Sequence, residues 1–157
     1  MNTEFINQYG HTWRVFERLV KDFEPDAWLY TGRGAITPAR LALHILQATR
    51  YYIQDSATVP FASGKSFESN WITSAEENLP SQDDILGGIH EMQLKTDQWL
   101  SAMNLCAENA SFPWAGKTKL GVAIFLLRHS LYHLGELSSL LNESKNGVAE
   151  DNYVKAI

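Results

Sequence analysis

Leu120-Gly-Val-Ala-Ile-Phe-Leu-Leu-Arg-His129-Ser-Leu-Tyr-His133-Leu-Gly-Glu136-Leu-Ser-Ser-Leu-Leu-Asn142 is the stretch on which the fold turns. It contains no proline, and its apolar residues recur at helical intervals. Counting about 100° per residue, Val122, Leu126 and Leu140 share a face with His129 and His133. The two histidines stand one helical turn apart, with Cβ atoms about 6 Å from each other. Ile124, Leu127, Leu131 and Leu134 form a second apolar stripe roughly opposite. A helix apolar on two sides is central in a core or packed on a partner. This one is expected to join two copies as a homodimer through the second stripe, unless the long connections cover it.

Three further helices are expected upstream. Phe5, Tyr9, Trp13, Phe16, Val20 and Phe23 recur at spacings of three and four, which predicts a helix from about Thr3 to Phe23. Pro25 and the segment from Trp28 to Gly34 end it. A second helix runs from about Thr37 to Gln54, with Thr37 as N-cap and Pro38 at the first helical position. Its inward stripe reads Leu41, Ile45, Ala48, Tyr52. A third starts at Ser81, where Asp84 completes a weaker form of the Ser-x-x-Glu capping box. Its stripe is Ile85, Ile89, Met92, Thr96, Trp99 and Met103, and Gly87 and Gly88 lie early in it. The connection from Ser56 to Pro80 carries Phe61, Phe67 and Trp71, so it is more than a solvated linker, and loops this long are often functional. The link from Asn104 to Lys119 is rich in turn formers. The tail from Glu143 is polar and expected to fray, with Tyr153, Val154 and Ile157 available to dock. The expected architecture is all-α: one domain over residues 1–157, a four-helix bundle with long connections between helices two and three and between helices three and four.

A chain of 157 residues is long enough to bury a core without a disulfide or metal staple. The net charge of −5 is spread thinly, which argues against nucleic acid or anionic lipid as a partner. One cysteine, Cys106, excludes an internal disulfide and a cysteine-type zinc site, and a small buried role is expected for it. Met1-Asn2-Thr3-Glu4 lacks the start of a signal peptide, and no apolar run is long enough for a bilayer. A cytoplasmic location without membrane contact is the expectation. Asn109-Ala-Ser111 and Asn142-Glu-Ser144 match a glycosylation pattern that such a location makes irrelevant.

Five histidines are present. His129 and His133 have ligand spacing and point to the bundle interior. His44, between Leu41 and Ala48, lies at the edge of an inward stripe. His11 and His90 fall away from their apolar stripes and read as surface residues. Burying three imidazoles together is unfavourable without a partner for their nitrogens. A divalent cation would take the lone pairs. Three nitrogen donors suit zinc, nickel or a similar metal better than calcium or magnesium, and three protein ligands leave a position open. Against this, an isolated H-x-x-x-H pair usually binds nothing, and a lone inward histidine is more often hydrogen-bonded in a core. Glu136, on the same face, can be a fourth ligand, a partner to an imidazole N–H, a general base, or an ordinary helix glutamate. Gly135 costs about 1 kcal/mol within a helix relative to alanine. Close approach of another backbone would explain it. Tyr51, Tyr52 and Tyr132 can line a pocket or belong to the core. Trp28, Trp71 and Trp114 can cover a cavity or cap the bundle, and capping is the simpler reading.

Pro38-Ala39-Arg40-Leu41-Ala42-Leu43-His44 together with Arg128-His129-Ser130-Leu131-Tyr132-His133-Leu134-Gly135-Glu136 resembles the DinB-like superfamily, which includes the YfiT-type proteins. The shared pattern is one histidine on helix two, a long gap, then H-x-x-x-H followed by x-Gly-Glu or x-Gly-Gln. The resemblance spans the chain in helix number and length, but its sharp part is the two histidine segments. It implies a four-helix bundle, often dimeric, with His44, His129 and His133 as ligands of a divalent metal at one end. Some relatives are S-transferases or isomerases using low-molecular-weight thiols, some are considered metal-dependent hydrolases, and many have no assigned reaction.

The leading expectation is therefore a metal-dependent transferase acting on a small molecule through a thiol, with Glu136 or a bound water moving protons. A related hydrolase would instead activate water at the open position. The competing class is a non-enzymatic, stress-related metal-binding or ligand-binding dimeric module. A metal-free helical interaction domain is the third.

Overall fold

The computed structural model describes residues 2–32, 36–54 and 65–157. Helix α1 spans Asn2–Asp22, α2 Pro38–Gln54, α3 Gln82–Ala102, α4 Lys119–Ser144, and a short α5 Asn152–Lys155. The expected helices are present, with ends within a residue or two of the sequence reading. The stripe of α1 is buried from Tyr9 to Phe23, and Phe5 packs half-buried against the core. Thr37 caps α2, its hydroxyl accepting from the Arg40 N–H at 3.4 Å. Ser81 and Asp84 form a reciprocal capping box on α3, so the shorter aspartate reaches as a glutamate would. No helix among the described residues is long and apolar enough to cross a membrane.

Both α1 and α2 pack against α3 and α4. The order around the bundle is therefore α1, α3, α2, α4, with α1 diagonal to α2. The connection from α1 to α2 must cross an end of the bundle. Trp28 closes that end: it is buried, and its Nε1 donates to the Pro80 carbonyl at 3.1 Å. Phe67, from the long connection, is also fully buried. It reaches the core because residue 88 is glycine. A Cβ there would lie 2.8 Å from Leu46 Cδ1 and 2.9 Å from Phe67 Cε1. In the link before α4, buried Asn109 donates to the carbonyls of Phe112 and Gly116 and accepts from Phe112 N–H. Phe61 and Gly34 lie outside the described residues.

Several expectations need correction. The buried face of α4 is Val122, Ala123, Leu126, Ser130, Leu134, Leu137, Leu140 and Leu141, which includes the expected Val122, Leu126 and Leu140 but is wider than they are. Leu134 is thus core and Leu127 packs half-buried on it, which leaves Ile124 and Leu131 as the exposed remainder of the second stripe. The histidines flank the core face of α4 instead of centring on it. On α2, Ala48 and Tyr52 are only half-buried, whereas Ala42, Leu46 and Thr49 are fully buried. Nothing approaches a Cβ built on Gly135 within 4 Å, so no close backbone explains that glycine; Gly121 is the close contact, where a Cβ would meet the Ala115 carbonyl oxygen at 2.5 Å. Cys106 is exposed, not buried. The tail docks, and of its large apolar residues Tyr153 takes part, its ring edge-on to His11 with 4.7 Å between centroids. Tyr153, Val154 and Ile157 are exposed, while Asn152 and Ala156 are buried. Asn152 donates to Asp22, and Arg14 donates to the Ala156 carbonyl. His11 is half-buried under this tail, with Nε2 3.1 Å from the Tyr153 carbonyl oxygen.

Candidate metal centre

Packing α2 on α4 brings His44 against His129 and His133. Each histidine offers one ring nitrogen such that the three lie within 4.8 Å of one another. The shortest separation is 3.2 Å, between Nε2 of His44 and Nε2 of His129. The three rings are half-buried and mutually edge-on, with centroids 4.6–5.0 Å apart. Among the described residues this is the only group of three or more histidine, cysteine or carboxylate side chains with that convergence. His90 is exposed on α3, and His11 serves the tail.

Hydrogen bonding leaves the cluster incomplete. His133 Nδ1 lies 2.7 Å from Glu136 Oε2, so the carboxylate holds the Nδ1–H tautomer and leaves the Nε2 lone pair for the cluster. The nearest role for Glu136 is therefore to orient an imidazole. His129 Nδ1 is buried without a hydrogen-bond partner. In either neutral tautomer that nitrogen is left over, as a donor without an acceptor or as a lone pair without a donor. An unsatisfied buried nitrogen costs roughly 1–3 kcal/mol. A cation between the rings would use the facing lone pairs, and three neutral nitrogens in a half-buried setting fit a divalent transition metal.

Burial first, and then the charges His133 and His129 would carry, hold His44 down from 6.5 to about 4. Burial and then His133 likewise bring His129 down to about 4. Both rings stay neutral in the folded chain where an unfolded chain would already protonate them. Folded values below unfolded ones give a stability contribution that is present above pH 6.5. It is lost as pH falls toward about 4. The urea midpoint of the metal-free protein is expected to drop across that window, and a His44→Gln, His129→Gln double variant is expected to show a shallower drop. Identical pH profiles for the two proteins would contradict the assignment.

Trp71 belongs to this site, so for this tryptophan the cavity-covering alternative holds and the simpler capping one does not. Its indole stacks on His44 at 4.1 Å between centroids and 30° between planes. Polar residues of α2 hold the connection there. Arg40 donates to the carbonyls of Trp71, Ile72 and Ser74 at 3.1, 3.1 and 2.8 Å. Gln47 Nε2 donates to the carbonyls of Phe67 and Ser69, and Arg50 pairs with Glu68 at 2.7 Å. Arg40, His44, Gln47 and Tyr51 fall on one helical stripe, a signal that a second face of α2 is occupied. Trp28 caps the bundle as expected, and Trp114 is exposed, donating to the Tyr52 hydroxyl at 3.1 Å.

The cluster opens on two sides. One cleft of about 420 Å³ is lined by His44, His129, Gln47, Tyr51, Tyr52 and Trp71, among others. The second, about 410 Å³, is formed by Phe125, Arg128, His129, Tyr132 and His133 of α4. Tyr51, Tyr52 and Tyr132 therefore line clefts, and Tyr52 also packs half-buried against the core. Both volumes suit a small molecule. Comparison with protein-family models, curated proteins and solved structures found no match for this chain.

Proposed function

We propose that this chain is a metal-dependent enzyme of the DinB-like type, transferring a group between a small electrophile and a low-molecular-weight thiol. The observation that carries the metal part is the convergence of three imidazole nitrogens within 4.8 Å. The assignment to transfer rests on the resemblance and on the two clefts, which give two small molecules separate approaches to one centre. A divalent ion held by His44, His129 and His133 would supply a Lewis-acidic position able to favour the thiolate form of a bound thiol.

The residues of the chain have separate parts in this reading. Burial keeps His44 and His129 unprotonated and available as ligands. Glu136 fixes the ring of His133 through Oε2. It is 41% exposed, so its second oxygen stays open to exchange a proton with solvent or substrate. Trp71 covers one face of His44 and restricts water there.

The test is turnover of an aryl halide by the metal-loaded protein with and without a small thiol. Product formed only with thiol supports transfer. Ester cleavage without thiol would support the hydrolase instead, and inertness in both assays would leave a non-enzymatic metal-binding module. Glu136→Ala is expected to weaken metal affinity by roughly 10–100-fold, the usual cost of removing the partner of a ligating imidazole. A competition titration against a chromophoric chelator reads this, and an unchanged affinity would remove Glu136 from the site.

A further inference from the structure

Three guanidinium groups surround the histidine cluster, and two are occupied in building it. Arg40 binds three carbonyls of the long connection, and Arg50 pairs with Glu68. Arg128 differs. It is exposed on α4, next in sequence to His129, and has neither a carboxylate nor a carbonyl partner among the described residues. Its one contact of note is with the ring of Phe125, 5.7 Å from the guanidinium carbon to the ring centroid. The groove it borders is otherwise walled by Phe125 and Tyr132, and its floor is His129 and His133. Phe125 is in turn stacked on His129, with 19° between the ring planes.

An uncommitted guanidinium beside an apolar groove is a recognition element for a planar anion. Its fork of N–H donors matches a carboxylate in two parallel hydrogen bonds, and the flat walls accept an apolar or unsaturated body. We infer that the α4 groove takes a carboxylate-bearing small molecule, with the carboxylate on Arg128 and the reacting end at the histidine cluster. This rests on the metal reading above and adds to it the chemical class of one ligand and the side from which it enters. The cleft beneath Trp71 is left to the other reactant. Arg128 is thus a specificity-determining residue, not a metal ligand.

Two hydroxamates of different charge test the assignment on the cobalt-loaded protein. Acetohydroxamate offers a metal-binding group alone, and succinate monohydroxamate adds a carboxylate arm. Perturbation of the visible cobalt bands gives a dissociation constant for each. The carboxylate probe is expected to bind about tenfold more tightly, as for one charge-assisted bidentate contact at a surface. In Arg128→Ala that preference is expected to vanish while acetohydroxamate binds as before, and Arg128→Lys should keep part of it. The preference should also shrink with added salt, because the site is exposed. Equal affinities in the unaltered protein would overturn the proposal. So would a preference that persists in Arg128→Ala, or one lost in Tyr51→Phe, which would move the carboxylate to the other cleft. Absence of cobalt bands on adding cobalt would overturn the metal reading and this inference with it. Normal bands with no charge preference would overturn this inference alone.

Discussion

On the proposed reading, His129→Ala is expected to abolish most divalent-ion binding. Nε2 of His129 faces Nε2 of His44 at 3.2 Å, and the ring borders both clefts. Removing it takes away a ligand itself, so the loss of affinity should exceed the roughly 10–100-fold that follows from losing an outer partner such as Glu136. Metal content of tag-free protein, measured against His90→Ala as an exposed-histidine control, reads the effect. His90 lies on α3, away from the cluster, and its variant should bind metal as the parent does. Full metal occupancy in His129→Ala would sink the three-histidine site. Restoration of metal binding by His129→Cys, which offers a different soft donor from the same position, would strengthen it.

Arg40→Ala is expected to be the most damaging substitution outside the cluster. One guanidinium holds the carbonyls of Trp71, Ile72 and Ser74 in the connection onto α2. Hydrogen bonds to charged groups contribute roughly 1.5–3 kcal/mol each where buried. Partial exposure reduces that here, so a loss of about 2–4 kcal/mol in urea unfolding is expected. The functional consequence is separate from the stability loss. Trp71 is no longer pressed on His44, and its fluorescence should shift to longer wavelength in a protein that is still folded. Arg40→Lys should recover only part, because an ammonium cannot span three carbonyls in one plane. Unchanged stability and unchanged emission in Arg40→Ala would show that the connection is held by Gln47 and the Arg50–Glu68 pair alone.

The bundle itself was legible because its helices announce themselves locally. The aromatic stripe of α1, the Thr37–Pro38 start of α2 and the Ser81 box of α3 each act within a few residues. The histidine pair on α4 was legible for the same reason, since one helical turn fixes where both rings go. What the sequence hid depends on contacts between distant segments. Trp71 reads as a loop aromatic until Arg40 is seen to hold its carbonyl. Phe67 reads the same way until the bare backbone of Gly88 is seen to admit it. Leu134 stands roughly opposite the histidines in angle, but the core lies between the two stripes, so it is buried from the side. Gly135 remains unexplained by any neighbour. Residue type alone puts Cys106 in the interior, and the structure has it in an exposed turn.

The long reach between the ligands also has a consequence in time. His44 and His129 are 85 positions apart, and α4 is the last of the four large helices to leave the ribosome. A nascent chain that has emerged only through α3 displays one of the three imidazoles and cannot chelate. An ion held by all three histidines would therefore be captured only after α4 has packed on α2, so that occupancy would report a closed α2–α4 pair.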